Sequence, residues 1–531
     1  MTGGDPGLAV LHSTTRPGRA WTRGNIGEAV PGLFTPLAWS VTGPAVDLGV
    51  RGGFRTIGVL SRREVFSGPD PDLNVAAVFY GYAASNLTVF RGFADRIPGV
   101  SANTVEQQLL GTVRADARDE PTRRYYARIM LKMPIGVLFT PGRLRRARRA
   151  GHDWWGEQIR SLPEADLSEA LAVLAEAERR FARVMALHTV TSMLASAVFE
   201  QLEELAGSVG RRGDVAELIT GYGTMEETRV AALLWRVARG TVPIEDFLAE
   251  FGFHGPSTGQ LASRVWREDQ TPLKGLLDRF AAMPEDASPS ARERRQVRLR
   301  RDRERALLSR LPRRRRANAR LLLRLAAILV PGRERGKAGW LQMLDVARAA
   351  CRRIGTIHTR DGGLEQPDDV FFLVRPELAG PGPDAATRVA ERRAAHARCA
   401  RLRVPFWWTG NLSPEDVEPV RSDRPGSLRG LGAYGGSVTG RAIVAEDPSD
   451  IDLEPDDVLV CHTTDPAWIP HFLTAAAVVI DVGGSLSHGV IAARELGVVC
   501  VVGTGNATQV IRTGDRITVD GASGLVTIAH P

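Results

Sequence analysis

The sequence predicts an α + α/β chain, in which a large, mainly helical domain is followed by a small β/α domain. Three observations lead there. From Trp21 to about Phe406, apolar residues recur mainly at helical spacing. A polar, proline-bearing stretch without periodicity, TGNLSPEDVEPVRSDRPGSLR over 409–429, then interrupts the pattern as a linker does. Beyond it, short β-rich runs alternate with glycine turns and helix-like pieces. The expected organisation is a flexible lead-in over 1–20, rich in Gly, Pro and Thr, a helical domain over 21–408, a linker or hinge over 409–429, and a β/α domain over 430–531.

The clearest helix spans Leu167–Ala206, where Leu167, Leu171, Leu174, Ala175, Phe181, Val184 and Met185 form an apolar stripe that Glu178 interrupts once. Further helices are predicted over Glu226–Ala238, Ile244–Glu250, Ala291–Ala327, Trp340–Ile354 and Arg388–Arg401. Pro312 should break or kink the third of these, because proline removes a helical donor and clashes with the preceding turn. In the C-terminal part, strands are predicted over Arg441–Ala445, Asp457–Cys461, Ala477–Asp481, Val498–Val502, Arg516–Val519 and Leu525–Ile528. Helices are expected between them over Pro466–Ala475 and His488–Leu496.

Bulk properties narrow the function classes. With 531 residues, 43% of them hydrophobic and 24% charged, the chain has material for two to four domains at roughly 150 residues each. Four scattered cysteines without C-x-x-C pairing speak against a disulfide framework or a zinc site, and no bound metal is expected. The N-terminus lacks the pattern of a signal peptide. The longest apolar run, Leu321–Val330, contains Arg324 and falls short of the ~20 residues a bilayer requires. A soluble, cytoplasmic protein without a membrane partner is the expectation. The net charge of +8 is concentrated in Ala291–Arg320, where 14 arginines face three acidic residues, so the rest of the chain is slightly acidic. Without aromatic interleaving or a nucleic-acid-binding signature, this run is a solvated helix face or a docking face for an acidic partner, not a nucleic-acid site.

The residues that carry chemistry lie in DVGGSLSHGVIAAR, 481–494. A predicted strand ends in Gly483-Gly484, which permit a tight turn, and Ser487 suits the N-cap of the following helix. His488 then sits at a helix N-terminus, where free N–H groups and the helix dipole favour an anion. A neutral imidazole nitrogen can attack phosphorus, and the phosphoryl group it gains would meet that anion site. On these residues alone, a histidine that merely caps or packs remains the alternative.

This segment resembles the mobile phosphohistidine domain of the phosphoenolpyruvate-utilising enzymes, which include phosphoenolpyruvate synthase, pyruvate phosphate dikinase and the rifampin phosphotransferases. Against the family pattern G-G-x-x-S-H-x-A-I-x-A-R-E-x-G-I-P-x-V-V-G, the matches are Gly483, Gly484, Ser487, His488, Ile491, Ala493, Arg494, Glu495, Gly497, Val501, Val502 and Gly503. Val490 replaces Ala, Val498 replaces Ile and Val499 replaces Pro. The flanks SVTGRAIV, DDVLVCHTTDPAWIPHF and GDRITVDGASGLVTI are similar too. The resemblance implies a swivelling domain whose catalytic residue is His488, with Gly483, Gly484, Ser487 and Arg494 supporting the histidine or its phosphate.

Upstream, segments at 21–40, 85–111, 247–269, 336–355 and 367–373 resemble the helical substrate-binding domain of rifampin phosphotransferase-type proteins. FGFHGP departs from the family's usual Y-G-H-R-G-P, with Phe253 where His is common and His254 where Arg is common, which leaves the acceptor substrate open. Family members carry an N-terminal ATP-grasp domain, and the resemblance here begins after residue 20. It therefore implies that ATP, with magnesium, is bound by a separate ATP-grasp-type partner subunit. GRERGKAG, 332–339, is one residue short of a P-loop and has Ala338 at the Ser/Thr position, so Lys337 is structural or a substrate-domain anion contact.

Candidate acceptor-site residues are Asn25 and Glu28 in a polar interruption of an apolar stretch, Arg267 and Glu268 in WRED, and Lys337. His254, expected on a loop, is the candidate general base because histidine titrates near neutrality. Trp154, Trp155, Trp266, Trp340, Trp407 and Trp408 line an apolar pocket or pack in the core.

The expected function is a kinase-like phosphotransferase acting through phosphohistidine on a sizeable, partly apolar small molecule. The phosphate could be lost again in a dehydration or condensation of a natural-product intermediate. The alternative is an ATP-independent cyclase or isomerase, or a scaffold that retains the fold.

Overall fold

Pro312 divides the arginine-rich run as the sequence predicts, with one helix over Pro289–Arg310 and the next over Arg313–Arg360. The computed structural model describes residues 5–529 except 111–112, 212–213, 224, 403, 414–425, 449–450, 455, 465–467 and 485–486. Much of the expected linker lies outside the described residues, but its two ends are strands, Trp407–Thr409 and Ser427–Arg429. The chain divides into two units. The first comprises Met1–Thr191, Gly259–Ser263 and Gly336–Val420, and the second Ser192–Thr258, Arg264–Arg335 and Arg421–Pro531. Two long helices, Leu167–Gly207 and Arg313–Arg360, are each shared between them.

The first unit is mainly helical, with long helices over Pro36–Thr56 and Tyr126–Ser161 that the sequence reading did not delimit. It also contains an unpredicted antiparallel sheet. Strands β1 (Ala20–Thr22), β2 (Ala76–Phe79), β3 (Tyr82–Asn86) and β4 (Trp407–Thr409) pair in the order β2-β3-β1-β4. The β2–β3 turn is Tyr80-Gly81, both at positive φ (49° and 77°), as a two-residue hairpin requires. Register places Trp21 opposite Trp408, and Phe79 packs edge-on against both rings at 4.9 and 5.0 Å.

A buried polar network crosses this unit. Arg348 and Asp345 pair at 2.7 Å with both side chains at 0% exposure, Trp155 donates to Asp345 at 2.8 Å, and Arg348 reaches the Gln260 carbonyl at 2.9 Å. Such groups persist in a core only when each finds a partner. Trp155, Trp340 and Trp408 are core residues here, whereas Trp407 is exposed.

The second unit joins helices Glu226–Ala238, Ile244–Phe251, Thr271–Ala282 and Pro289–Arg310 to an eight-stranded sheet. Its strands are β5 (Ser427–Arg429), β6 (Leu431–Tyr434), β7 (Ser437–Ala445), β8 (Val458–Cys461), β9 (Ala477–Ile480), β10 (Val499–Val502), β11 (Arg516–Asp520) and β12 (Leu525–Ile528), in the order β5-β12-β11-β7-β8-β9-β10-β6. β7, β8, β9 and β10 run parallel, and β8 and β9 are buried at every position, as the continuous apolar runs VLVC and AVVI require.

The sheet domain rests on the helical segment of the same unit. Gly221 N–H donates to Glu495, Arg292 donates to the Leu496 and Leu473 carbonyls at 3.2 and 3.1 Å, and Ile491 joins a core that includes Leu202, Leu307 and Leu329. The arginine run therefore has two faces. Arg292, Arg300 and Arg303 are engaged in contacts, while Arg294, Arg298, Arg301 and Arg305 form an exposed stripe at helical spacing.

Among the described residues, one helix, Leu167–Gly207, is long and apolar enough to cross a membrane by length and composition. A run-length criterion that picks out Leu321–Val330 passes over it because His188, Thr189, Thr191, Ser192 and Ser196 interrupt the charge-free stretch between Arg183 and Glu200. In that stretch Val184, Val190, Ala195, Val198 and Phe199 are buried in the protein.

Candidate active site

The site is built where the parallel strands end. In open α/β sheets, ligands collect beyond the carboxyl ends of such strands. β8 ends at Cys461 and β9 at Ile480, which lie opposite one another, and the chain leaves both at the same edge. The register continues past the strands, because Asp481 N–H donates to the Cys461 carbonyl at 3.1 Å and Val482 N–H to the His462 carbonyl at 2.9 Å. His462 is thereby fixed beside the start of the glycine loop.

That loop closes when Ser487 N–H donates to the Gly484 carbonyl at 2.9 Å. The helix His488–Leu496 follows, with the boundaries the sequence predicts. Ser487 is its N-cap, in extended conformation, with its hydroxyl accepting from Val490 N–H at 3.3 Å. Helix geometry leaves the N–H groups of His488 and Gly489 as first-turn donors available to an anion. The side chain of His488 lies outside the described ones, and the helix start fixes its backbone. Gly497 ends the helix in the left-handed conformation at φ 68°, a position that favours glycine.

The two loop glycines differ in role. A Cβ at Gly483 would lie 2.9 Å from the Ser487 hydroxyl, whereas one at Gly484 would meet no described atom within 4 Å. A Cβ at Gly489 would lie 2.5 Å from Ile480 Cδ1 and 2.8 Å from Thr464 Oγ1, so the loop after β8 touches the first turn of the His488 helix.

Asp481 organises this edge. Its side chain, fully buried, accepts from Thr504 Oγ1 at 3.0 Å, Thr508 N–H at 3.3 Å, the Thr508 hydroxyl and His462 Nδ1 at 3.3 Å. His462 is 47% exposed. From the sequence alone neither residue is marked out for a role. The signal is a histidine directly after one parallel strand and a carboxylate directly after its neighbour, and only the β8–β9 pairing brings them together.

The other predicted residues fall in separate places. Arg494 lies two turns along the helix, is 5% exposed and donates to the Ala433 carbonyl of β6 at 2.9 Å. Burial pushes its guanidinium down to about 10. His254 is on a loop as expected but is 1% exposed, enclosed by Phe251, Phe253 and Trp266. Arg267 and Glu268 adjoin it in sequence order after Trp266, and pair with each other at 3.2 Å. Lys337 is half-buried on the Arg313–Arg360 helix, in the first unit. Asn25 and Glu28 fall on a short helix, Gly24–Ala29, and their side chains lie outside the described ones.

Residues 453–524 match the PEP-utilising enzyme mobile domain, and residues 196–334 match the rifampicin phosphotransferase fourth domain. The chain is similar to phosphoenolpyruvate-utilising enzymes of the rifampicin phosphotransferase kind. Prodigiosin synthesizing transferase PigC of Serratia marcescens is 30% identical over 332 residues, 60% of this chain and 36% of that protein. A rifampicin phosphotransferase of Streptomyces is 36% identical over 221 residues, 40% of this chain and 25% of that protein. A probable phosphoenolpyruvate synthase of Pyrococcus abyssi is 47% identical over 113 residues, 21% of this chain and 14% of that protein. These matches span about a third of the PigC length and a quarter or less of the other two. The family is one of phosphotransferase-type enzymes, and the mainly helical body with a β-rich C-terminal domain accords with it.

Proposed function

We propose that His488 carries a phosphoryl group between a donor and a small-molecule acceptor. In this reading a separate ATP-grasp-type partner, holding ATP and magnesium, charges His488 in the cytoplasm, and the C-terminal domain then presents the group to a partly apolar acceptor. The observation that carries the reading is the start of a helix at His488, capped by Ser487, at the carboxyl edge of a parallel sheet inside the matched mobile domain. An imidazole there has the nucleophile, and the first-turn N–H groups have the anion stabilisation, that phosphoryl carriage requires. Acceptor contacts are proposed for Asn25, Glu28, Arg267, Glu268 and Lys337. His254 would need its aromatic surround to open before it could take a proton as general base.

The test uses the purified chain, a candidate ATP-grasp partner and labelled ATP. Label acquired on His488 and lost in His488→Ala supports the reading. An unlabelled chain, or equal labelling of the variant, refutes it.

The similarity to PigC favours a second outcome for the same chemistry. The phosphoryl group would activate a hydroxyl or carbonyl and leave again as the acceptor is dehydrated or condensed. ATP turnover with a phosphate-free product distinguishes this from net phosphorylation.

A further inference from the structure

We propose that His462 is the general base of the transfer step, with Asp481 as its positioning residue. This rests on His488 being the phosphoryl carrier.

The argument begins with the imidazole itself. A carboxylate can only accept, so the contact between His462 Nδ1 and Asp481 Oδ2 at 3.3 Å places the ring proton on Nδ1. Nε2 then carries the lone pair on a side chain that is 47% exposed. Its orientation is set from behind. Asp481 is fully buried and is held in turn by Thr504 Oγ1 at 3.0 Å and by the Thr508 N–H and hydroxyl. A histidine held at one nitrogen by a fixed carboxylate and open at the other has the arrangement of an acid–base catalyst. Among the described residues, Asp481 is the charged group facing His462, since Thr504 and Thr508, which follow β10, are neutral.

Position is the second part. His462 follows β8 directly and its carbonyl holds Val482, one residue before Gly483. Two residues after His462, Thr464 Oγ1 lies 2.8 Å from where a Gly489 Cβ would be. One short loop therefore carries both the exposed imidazole and a contact to the turn that begins at His488. His254, at 1% exposure, offers no comparable access.

The step balances with these groups. An acceptor hydroxyl attacks the phosphorus on His488, and the new P–O bond forms as the P–N bond breaks. The P–N electron pair returns to the His488 ring nitrogen, and the hydroxyl proton goes to His462 Nε2. Water serves as the acceptor in the same way.

Water therefore gives a test that needs neither the partner nor the natural acceptor. Potassium phosphoramidate, a small donor that phosphorylates imidazoles, is used to charge the full chain and is then removed, and loss of the protein-bound P–N signal is followed by ³¹P NMR across pH. The variants are His462→Gln, His462→Asn and His488→Ala. The expected result is a P–N signal that His488→Ala lacks, lost at least tenfold more slowly in both His462 variants, with one limb of the pH profile missing. Equal rates and profiles in wild type and His462→Gln overturn the role of His462 while leaving His488 as carrier. No P–N signal in the wild type removes the carrier and the base together. A signal that survives in His488→Ala and vanishes in His462→Gln would make His462 a phosphoryl acceptor instead of a base.

Discussion

Glu495 accepts the backbone N–H of Gly221 on both carboxylate oxygens, at 3.0 and 3.1 Å. The residue belongs to the motif that begins with Gly483-Gly484, yet it acts at the far end of the helix from His488, holding the sheet domain to the helical segment of its own unit. Glu495→Ala leaves that donor without its carboxylate. A hydrogen bond to a charged group contributes about 1.5–3 kcal/mol, so urea denaturation should show a loss of about 2 kcal/mol. Amide exchange at Gly221 should accelerate in parallel. Unchanged exchange there would show that the contact does not hold the two parts together.

Ser487 has a capping role that can be separated from any role with phosphate. Ser487→Ala removes the acceptor for Val490 N–H and should cost about 1 kcal/mol, seen as a lower Tm. Ser487→Asp restores a capping oxygen and should recover most of that loss. The same carboxylate would repel a phosphoryl group at the helix start, so labelling of His488 should fall in Ser487→Asp although its Tm does not. Equal labelling of the Asp variant and the wild type would place the phosphoryl group away from the helix N-terminus.

The parts legible in the sequence are those with local signals. Ser487 before the His488–Leu496 helix and Gly497 after it mark both ends, whereas Glu226–Ala238 is legible from the helical spacing of its apolar residues. The β1–β4 sheet is not legible because strands of three to five residues carry little periodicity, and the pairing of Trp21 with Trp408 joins residues far apart in the sequence. Its hairpin turns on Tyr80-Gly81, without the Asn-Gly or Asp-Gly that marks such a turn. The Tyr126–Ser161 helix was hidden by Pro134 and Pro141, which read as breakers but sit inside it. In the site, the glycine loop, Ser487 and His488 are contiguous and could be read directly. The pairing of His462 with Asp481 could not, because it exists only once β8 and β9 lie side by side.

Gly489 should tolerate no side chain. An added Cβ would lie 2.5 Å from Ile480 Cδ1 and 2.8 Å from Thr464 Oγ1. Overpacking of this kind costs about 1–3 kcal/mol, and the better helix propensity of alanine offsets up to about 1 kcal/mol of it. Gly489→Ala should therefore lower stability by about 1 kcal/mol. Ile480→Val removes the Cδ1 atom, so the double variant should be more stable than the sum of the two single changes. Strict additivity in denaturant unfolding would show that the helix shifts away from β9 instead.

His471 gives the fold a dependence on acid. It lies in the Ile469–Thr474 helix at 2% exposure, and burial pushes its imidazole down to about 3. The Arg279 guanidinium also opposes its protonation, and the Pro448 carbonyl offsets only part of this. The unfolded chain titrates this group near ~6.5. Between there and about 3, the unfolded state binds a proton that the folded state does not. The contribution of a neutral His471 is thus complete above the unfolded value and is lost progressively as pH falls through that window, with a slope of up to ~1.4 kcal/mol per pH unit. His471→Gln cannot take up the proton. Its unfolding free energy, measured in urea at pH 7, 6 and 5, should fall less steeply with acid than that of the wild type. Parallel pH dependences in the two proteins would mean that His471 takes up its proton over the same pH range folded and unfolded, so that its burial carries no proton linkage.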